Sequence, residues 1–258
     1  MATKKAMTKG VVYTVSDHPR YTGQLMTSIE SLRRVHPDMP VTVFTDAGLD
    51  IDARVVSVSF SEEIFRDRIE LLSRSPYDRN LYIDADFLVL SDISPLFRLL
   101  GRFHLAVAHA DMRDFSPAPG VPASFPEVAG GTIVYRKCPE TRAFFETWLE
   151  KFDRHAEEYP GYFTPKHGMH YHRDQASMRM ALWEQGDLNL GILPPEWACH
   201  NYIGYMSSPV VMAQQARGRN TVEEADEFLN SAPNRPRVYM LDRMLIRWRG
   251  SDIEEVRG

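Results

Sequence analysis

The sequence has only two cysteines, Cys138 and Cys199, in 258 residues. That is too few for a disulfide framework, and it points to a reducing compartment. Glycine and proline, at 15 and 17 residues, are too sparse and too scattered for a collagen-like or low-complexity chain. No uncharged apolar run approaches the roughly 18 residues that a membrane helix needs. The opening MATKKAMTKG is basic but has no apolar segment after it, so it does not read as a secretory signal. Neither G-x-S-x-G nor G-x-x-x-x-G-K-[ST] occurs, which argues against a serine hydrolase and a P-loop enzyme. A surplus of either charge is also lacking. Thirty Lys and Arg against 35 Asp and Glu leave a net −5, which argues against a surface that grips nucleic acid or anionic membrane as a whole. These absences together lead us to expect a soluble protein of the cytoplasm.

What is present reads as an alternation of strands and helices. A buried strand is expected over Val11 to Val15, and apolar Leu25, Ile29, Leu32 and Val35 fit one face of a following helix. Val41 to Phe44 and Val55 to Val58 read as further strands, Ile64 to Leu72 as a helix, and Leu81 to Ile83 as a fourth strand. Such alternation predicts an α/β fold with a mostly parallel, helix-flanked sheet. Later, His104 to His109 and Thr132 to Tyr135 read as strands, and Thr141 to Phe152 and Asp174 to Trp183 as helices. Val238 to Leu241 and Leu245 to Trp248 read as late strands or a return to the sheet. A chain of this length buries about three quarters of its unfolded surface. We expect a tail over residues 1–9 and a single domain over 10–258, with residues 10–100 as one half and 101–258 as the other.

The segment PYDRNLYIDADFLVLSDISPLF carries the most chemistry. An apolar strand runs directly into Asp84-Ala85-Asp86, and alternation sends both carboxylates to the same side if the extended geometry continues through them. The carboxyl end of a central strand is where open α/β sheets bind ligands. Two carboxylates so placed repel unless a proton or cation lies between them. A hard divalent ion such as Mg²⁺ or Mn²⁺ supplies that charge and can also hold a diphosphate. Solvated turn aspartates are the plain alternative; the apolar runs on both sides argue against full exposure.

LYIDADFLVLSDISPLF resembles the metal-binding signature of nucleotide-diphospho-sugar transferases with the GT-A fold, of the glycogenin and bacterial galactosyltransferase type. Three more stretches are similar to that family in the same order. VVYTVSDHPRYTGQLMTSIESLRRVHPDMPVTVFTD resembles its first strand–helix–strand unit, AGGTIVYRKCPETRAFFETW the strand and helix after the donor-sugar loop, and HRDQASMRMAL with LPPEWACHNY the D-Q helix and Leu-Pro strand. The resemblance spans about residues 10 to 205. It implies a GT-A-type, Rossmann-like single domain and a glycosyltransferase, most plausibly hexosyltransferase-like. Its donor would be a nucleoside diphosphate sugar such as a UDP-sugar, and Mn²⁺ or Mg²⁺ would be its cofactor.

Roles follow from the same resemblance. Val12, Tyr13, Thr14 and Tyr21 would flank the nucleotide, with Tyr13 or Tyr21 stacking on the base and Asp46 near the base or ribose. Arg79 is favoured over Arg74 to meet the diphosphate. Asp84, Ala85 and Asp86 would meet the metal and the phosphates. Gly130 and Gly131 would let the sugar approach the backbone, or would serve a bulge; many relatives carry Asn there. Asp174 and Gln175 would be catalytic, deprotonating the acceptor in an inverting enzyme or stabilising positive charge on the sugar in a retaining one. The late strand RVYMLDRM lacks the histidine that relatives use as a third metal ligand, leaving His200 and Asp242 as substitutes. His167, His170 and His172 read as a loop rather than a zinc site. Arg235, Arg237, Arg243, Arg247 and Arg249 read as an exposed set paired with nearby acids, or as a phosphate-binding group. The acceptor is open among glycan, protein, small molecule and nucleic acid. Two other functions remain: a non-catalytic sugar-nucleotide-binding protein, and a sugar-1-phosphate nucleotidyltransferase, against which the glycine-free Ser16 to Tyr21 argues.

Overall fold

The structure is a computed structural model that describes residues 7–110, 117–160, 163–166, 169–200, 202, 204–215, 219–231, 234–240, 243–249 and 252–255. His167 and Asp242 lie outside the described residues.

The first half runs β1 (Lys9–Val15), α1 (Pro19–Val35), β2 (Val41–Thr45), β3 (Arg54–Ser57), α2 (Ile64–Ser73), β4 (Arg79–Ile83), β5 (Phe87–Val89) and α3 (Ser94–Leu99). The second runs β6 (Leu105–His109), β7 (Val128–Arg136), α4 (Pro139–Glu158), β8 (Phe163–Lys166), β9 (Met169–His172), α5 (Gln175–Glu184) and β10 (Leu190–Leu193). Then follow β11 (Gly204–Met206), β12 (Met212–Gln214), α6 (Val222–Leu229), β13 (Arg237–Met240), β14 (Arg243–Arg249) and β15 (Asp252–Glu255). Strands from both halves share one seven-stranded sheet, ordered β10-β6-β7-β4-β1-β2-β3. β7 is antiparallel to both of its neighbours, β4 and β6, whereas the remaining pairs are parallel.

Helix α1 shows why the first half follows its sequence pattern. Pro19 stands in its first turn and the His18 ring caps it by accepting the Arg20 N–H. Leu25, Ile29 and Leu32 recur at helical spacing and are buried under the sheet. On one face of the sheet Val11, Tyr13 and Val15 pack with α1, and on the other Val12 and Tyr82 pack with α2 and α4 residues such as Leu72 and Trp148.

The late strands do not return to the central sheet. β11, β13, β14 and β15 form a separate antiparallel sheet with its own core of Tyr202, Met206, Leu229 and Tyr239. One short strand ties this region to the rest. β12 pairs antiparallel with β5, setting Gln214 opposite Phe87 and Met212 opposite Val89. The apolar run after the carboxylate pair therefore leaves the main sheet and becomes half of a two-stranded ribbon.

Candidate active site

The carboxyl ends of β1 and β4 open into a cleft of about 630 Å³. Thr14, Val15, Ser16, Tyr21, Gln24 and Phe60 line it, as do Phe65, Arg68, Tyr82 and the Asp84-Ala85-Asp86 run. Thr14, Tyr21 and Ala85 thus stand where a ligand could touch them. Val12 and Tyr13 do not. Both are fully buried, and the Tyr13 hydroxyl lies 3.1 Å from Ser28 Oγ beneath α1. A ring enclosed in the core offers no face for a base. Asp46 is exposed and outside the cleft lining; its Oδ1 accepts the Asp17 N–H at 2.6 Å, tying the turn after β1 to the turn after β2.

At the centre stands Arg68 of α2, which the reading of the sequence missed. It is 5% exposed. Its Nη1 donates to Asp84 Oδ1 at 3.1 Å, and its Nη2 donates to Asp174 Oδ2. The Tyr82 hydroxyl donates to the same Asp84 oxygen. The guanidinium lies over the rings of Phe65 and Tyr82, at 4.9 and 5.5 Å from their centroids. Burial disfavours its charge, but Asp174, Tyr82 and Asp84 more than compensate and hold its pKa well above the ordinary value. Burial pushes the Asp174 carboxyl up and the Arg68 guanidinium opposes that rise. A signal for Arg68 does exist in the sequence. Ile64, Arg68 and Leu72 stand four residues apart, so the arginine occupies the apolar stripe of an amphipathic helix. A charge in that stripe must find a buried partner.

Arg79, the arginine favoured from the sequence, is at the wrong end. It opens β4, five residues before Asp84, which is about 16 Å along a strand. Its Nη1 donates instead to the Phe97 carbonyl at 3.4 Å. Among the C-terminal arginines, Arg237 is fully buried rather than exposed.

Gly130 and Gly131 lie in an irregular stretch of β7. Its pairing with β6 skips from Ile133 to Ala129, leaving residues 130–132 bulged. A Cβ on Gly130 would stand 2.8 Å from Arg68 Nη2. One on Gly131 would stand 2.8 Å from His200 Nε2 and 2.9 Å from Asp84 Oδ2. The glycines therefore let the charged groups settle against the strand.

His200 is brought beside the β5–β12 ribbon by its neighbour Cys199, which bridges to Ala213 of β12. Its ring packs edge-on against Phe87 at 4.9 Å. Its Nδ1 lies 3.0 Å from the Ala198 carbonyl, which can only accept, so Nδ1 carries the hydrogen and Nε2 keeps its lone pair. Burial lowers the His200 pKa, partly offset by the Asp84 carboxylate. Asp86 is steadied on the same ribbon, where its Oδ2 accepts from Gln214 Nε2 at 2.9 Å. Carboxylate oxygens and a neutral imidazole nitrogen suit a divalent cation, but only Asp84 and His200 converge, over Gly131; with Asp86 they do not form a group whose ligand atoms all lie within 4.8 Å of one another. Asp84 and Asp174 share the one guanidinium of Arg68.

Among the described residues, the trio of ligand-type side chains that does come together lies elsewhere. Atoms of His104, Cys138 and Glu140 fall within 4.8 Å of one another, at the far end of β7 from its glycines. The Nδ1 of His104 accepts the Asn189 N–H there at 3.2 Å. This trio is separate from the cleft.

Neither a protein-family model nor a curated protein sequence matches the chain. Solved structures do. Galactosyltransferase LgtC in complex with donor and acceptor sugar analogs shares 14% identity over 86% of this chain and 95% of its own, with a TM-score of 0.58. An active-site mutant of LgtC aligns over 80% of this chain and 86% of its own, at 14% identity and a TM-score of 0.55. The bifunctional glycosyltransferase WbbM aligns over 78% of this chain and 41% of its own, at 16% identity and a TM-score of 0.50. The fold is of the GT-A type. In this GT-A fold the carboxylate pair ends a central strand, as the resemblance implied. Asp174 and Gln175 open α5 beside Arg68: Asp174 is the buried partner of that guanidinium, and Gln175 donates to Glu127 Oε1 at 2.9 Å. Among the described residues no helix is long and apolar enough to cross a membrane.

Proposed function

We propose that the protein transfers a glycosyl group from a nucleoside diphosphate sugar, best read as a UDP-sugar, to an acceptor nucleophile. The observation that carries this reading is the convergence of Asp84 Oδ2 and His200 Nε2 over Gly131, at the edge of the cleft. Asp84, Asp86 and His200 would hold Mn²⁺ or Mg²⁺. When bound, that ion would neutralise the diphosphate and act as a Lewis acid on the leaving group.

The chain's own residues divide the remaining work. The cleft floor of Thr14, Val15 and Ser16 with Tyr21 receives the base and ribose. Arg68 fixes Asp84 through one carboxylate oxygen, which leaves Oδ2 facing His200. Tyr82 donates to the Arg68-bound oxygen and keeps its proton, because burial raises its pKa. Asp174 is locked to Arg68, which fixes its carboxyl at the start of α5. Gln175, next to it, presents a neutral amide to the same region.

The test is consumption of UDP-sugars with and without Mn²⁺ by the wild type and Asp86→Asn. Metal-dependent release of UDP is expected from the wild type, and a fall of more than about a hundredfold from the variant at unchanged melting temperature. Equal turnover by the two proteins would sink the metal assignment. Metal-dependent binding of UDP with no turnover of any donor would leave a sugar-nucleotide-binding protein instead.

A further inference from the structure

We propose that Glu127 is a positioning residue that orients the Gln175 amide and couples it to the segment before β7; this rests on the reading of the site as one for sugar transfer. Glu127 is 7% exposed and directly precedes β7. Its backbone carbonyl accepts the Ala110 N–H at 3.1 Å, which fixes it beside the end of β6. Its Oε1 accepts from Gln175 Nε2 at 2.9 Å, and its Oε2 lies 3.6 Å from Arg179 Nε.

The chemistry of the pair dictates its orientation. An ionised carboxylate only accepts, so the NH₂ end of the Gln175 amide must face Glu127 and the carbonyl end must face away. Among the described residues, Gln175 Oε1 accepts no hydrogen bond from the chain, and the side chain is half-buried. A carbonyl dipole held in this way favours developing positive charge on a sugar. Reversal of the amide would present N–H donors instead and oppose that charge.

Arg179 holds Glu127 in turn. Located one helical turn after Gln175 on α5 and itself buried, it donates to the carbonyls of Pro126, Pro122 and Phe125 at 3.2, 3.1 and 2.8 Å. One guanidinium thereby clamps the backbone of residues 122–126 to the helix that carries Gln175. Three residues beyond Glu127, Gly130 stands against Arg68 and Asp174. Movement of the 122–126 segment is thus transmitted to Gln175 through Arg179 and Glu127.

Glu127→Gln is nearly isosteric and removes the acceptor-only demand, since an amide can face an amide either way round. Hydrolysis of UDP-sugars with Mn²⁺ is expected to show kcat falling about tenfold to a hundredfold, with donor KM within about twofold. The melting temperature should stay within a few degrees, and Glu127→Asp should recover part of the loss. Nitrogen-15 spectra supply a readout without turnover. The side-chain NH₂ signals of Gln175, assigned by their loss in Gln175→Glu, should move to ordinary solvated positions in Glu127→Gln. Wild-type kcat in Glu127→Gln overturns the proposal, as does a joint loss of kcat, KM and melting temperature, which marks a structural role only. Unmoved amide signals also overturn it. A wild-type chain that consumes no nucleotide sugar overturns the reading of the site and the catalytic consequence given to Glu127, and the amide signals then decide its positioning role separately.

Discussion

Two regions of the molecule each bury an arginine, and the company each arginine keeps separates a site from a scaffold. Arg237, in the C-terminal sheet, is fully buried and donates to the Tyr239 hydroxyl at 3.1 Å and to the carbonyls of Arg235 and Ser208 at 2.8 and 2.9 Å. These three acceptors, which are not the whole of its contacts, are neutral; burial keeps the Tyr239 phenol protonated, with its pKa pushed up to about 12. Arg68, at the end of the central sheet, faces the carboxylates of Asp84 and Asp174 beside an open cleft. Neutral acceptors hold an arginine as a fixed bolt. Carboxylates that outnumber it leave a charge balance that a bound ion or phosphate can change, which is the property a ligand site needs.

The comparison predicts opposite outcomes for the same substitution. Arg68→Met leaves Asp84 and Asp174 uncompensated, so it should cost about 3–5 kcal/mol of stability and more than about a hundredfold in turnover per folded molecule. Arg237→Met should destabilise by about 1–3 kcal/mol for each carbonyl it orphans, with turnover per folded molecule unchanged. Arg68→Lys sharpens the contrast, because it keeps the charge but loses the fork that bridges two carboxylates. Thermal melts combined with donor hydrolysis, at a temperature where all variants are folded, decide the matter. A shared loss of stability and turnover in both Met variants would break the distinction.

A smaller effect is expected from Gly131→Ala. Its new Cβ would crowd His200 Nε2 and Asp84 Oδ2 at 2.8 and 2.9 Å, pushing apart the two atoms that face one point. Mn²⁺ affinity, read by titration against the melting temperature, should weaken about tenfold to a hundredfold. Gly48→Ala, where a Cβ meets nothing within 4 Å, is the control. Equal Mn²⁺ binding by the two variants would remove His200 and Asp84 from a common ion.

The unequal legibility of the two regions has a physical cause. β1, β2 and β4 are mostly apolar runs and α1 and α2 repeat apolar residues every three to four; both signals are local, so the sheet and the position of Asp84 and Asp86 could be read directly. Arg68 was readable in principle, since it interrupts the apolar stripe of α2. Gln214 meets the carboxylate loop because β12 pairs with β5 across more than a hundred residues, and His200 follows through the bridge from Cys199 to Ala213; no local period encodes either pairing. The same holds for Glu127, whose partners Gln175 and Arg179 are about 50 residues away. Local pattern also failed in the other direction at Tyr13: strand alternation does not say which face of a two-sided sheet is a pocket, and its ring went to the α1 side.

The smallest expected effect belongs to Arg79, and it tests where the site ends. Cross-strand pairing places Arg79 opposite Lys9 on one side and Arg136 on the other, so its neighbours are cations and not carboxylates. The contact of its side chain to the Phe97 carbonyl, at 3.4 Å, is weak and part-exposed. With about 16 Å of strand between it and Asp84, an arginine side chain cannot span the gap to a diphosphate held there. Arg79→Ala should therefore change kcat/KM by less than about twofold and stability by no more than about 0.5 kcal/mol. A loss in kcat/KM beyond about tenfold at unchanged stability would mean that the ligand reaches the amino end of β4, and the division between a reactive carboxyl end and an inert amino end of the sheet would fall with it.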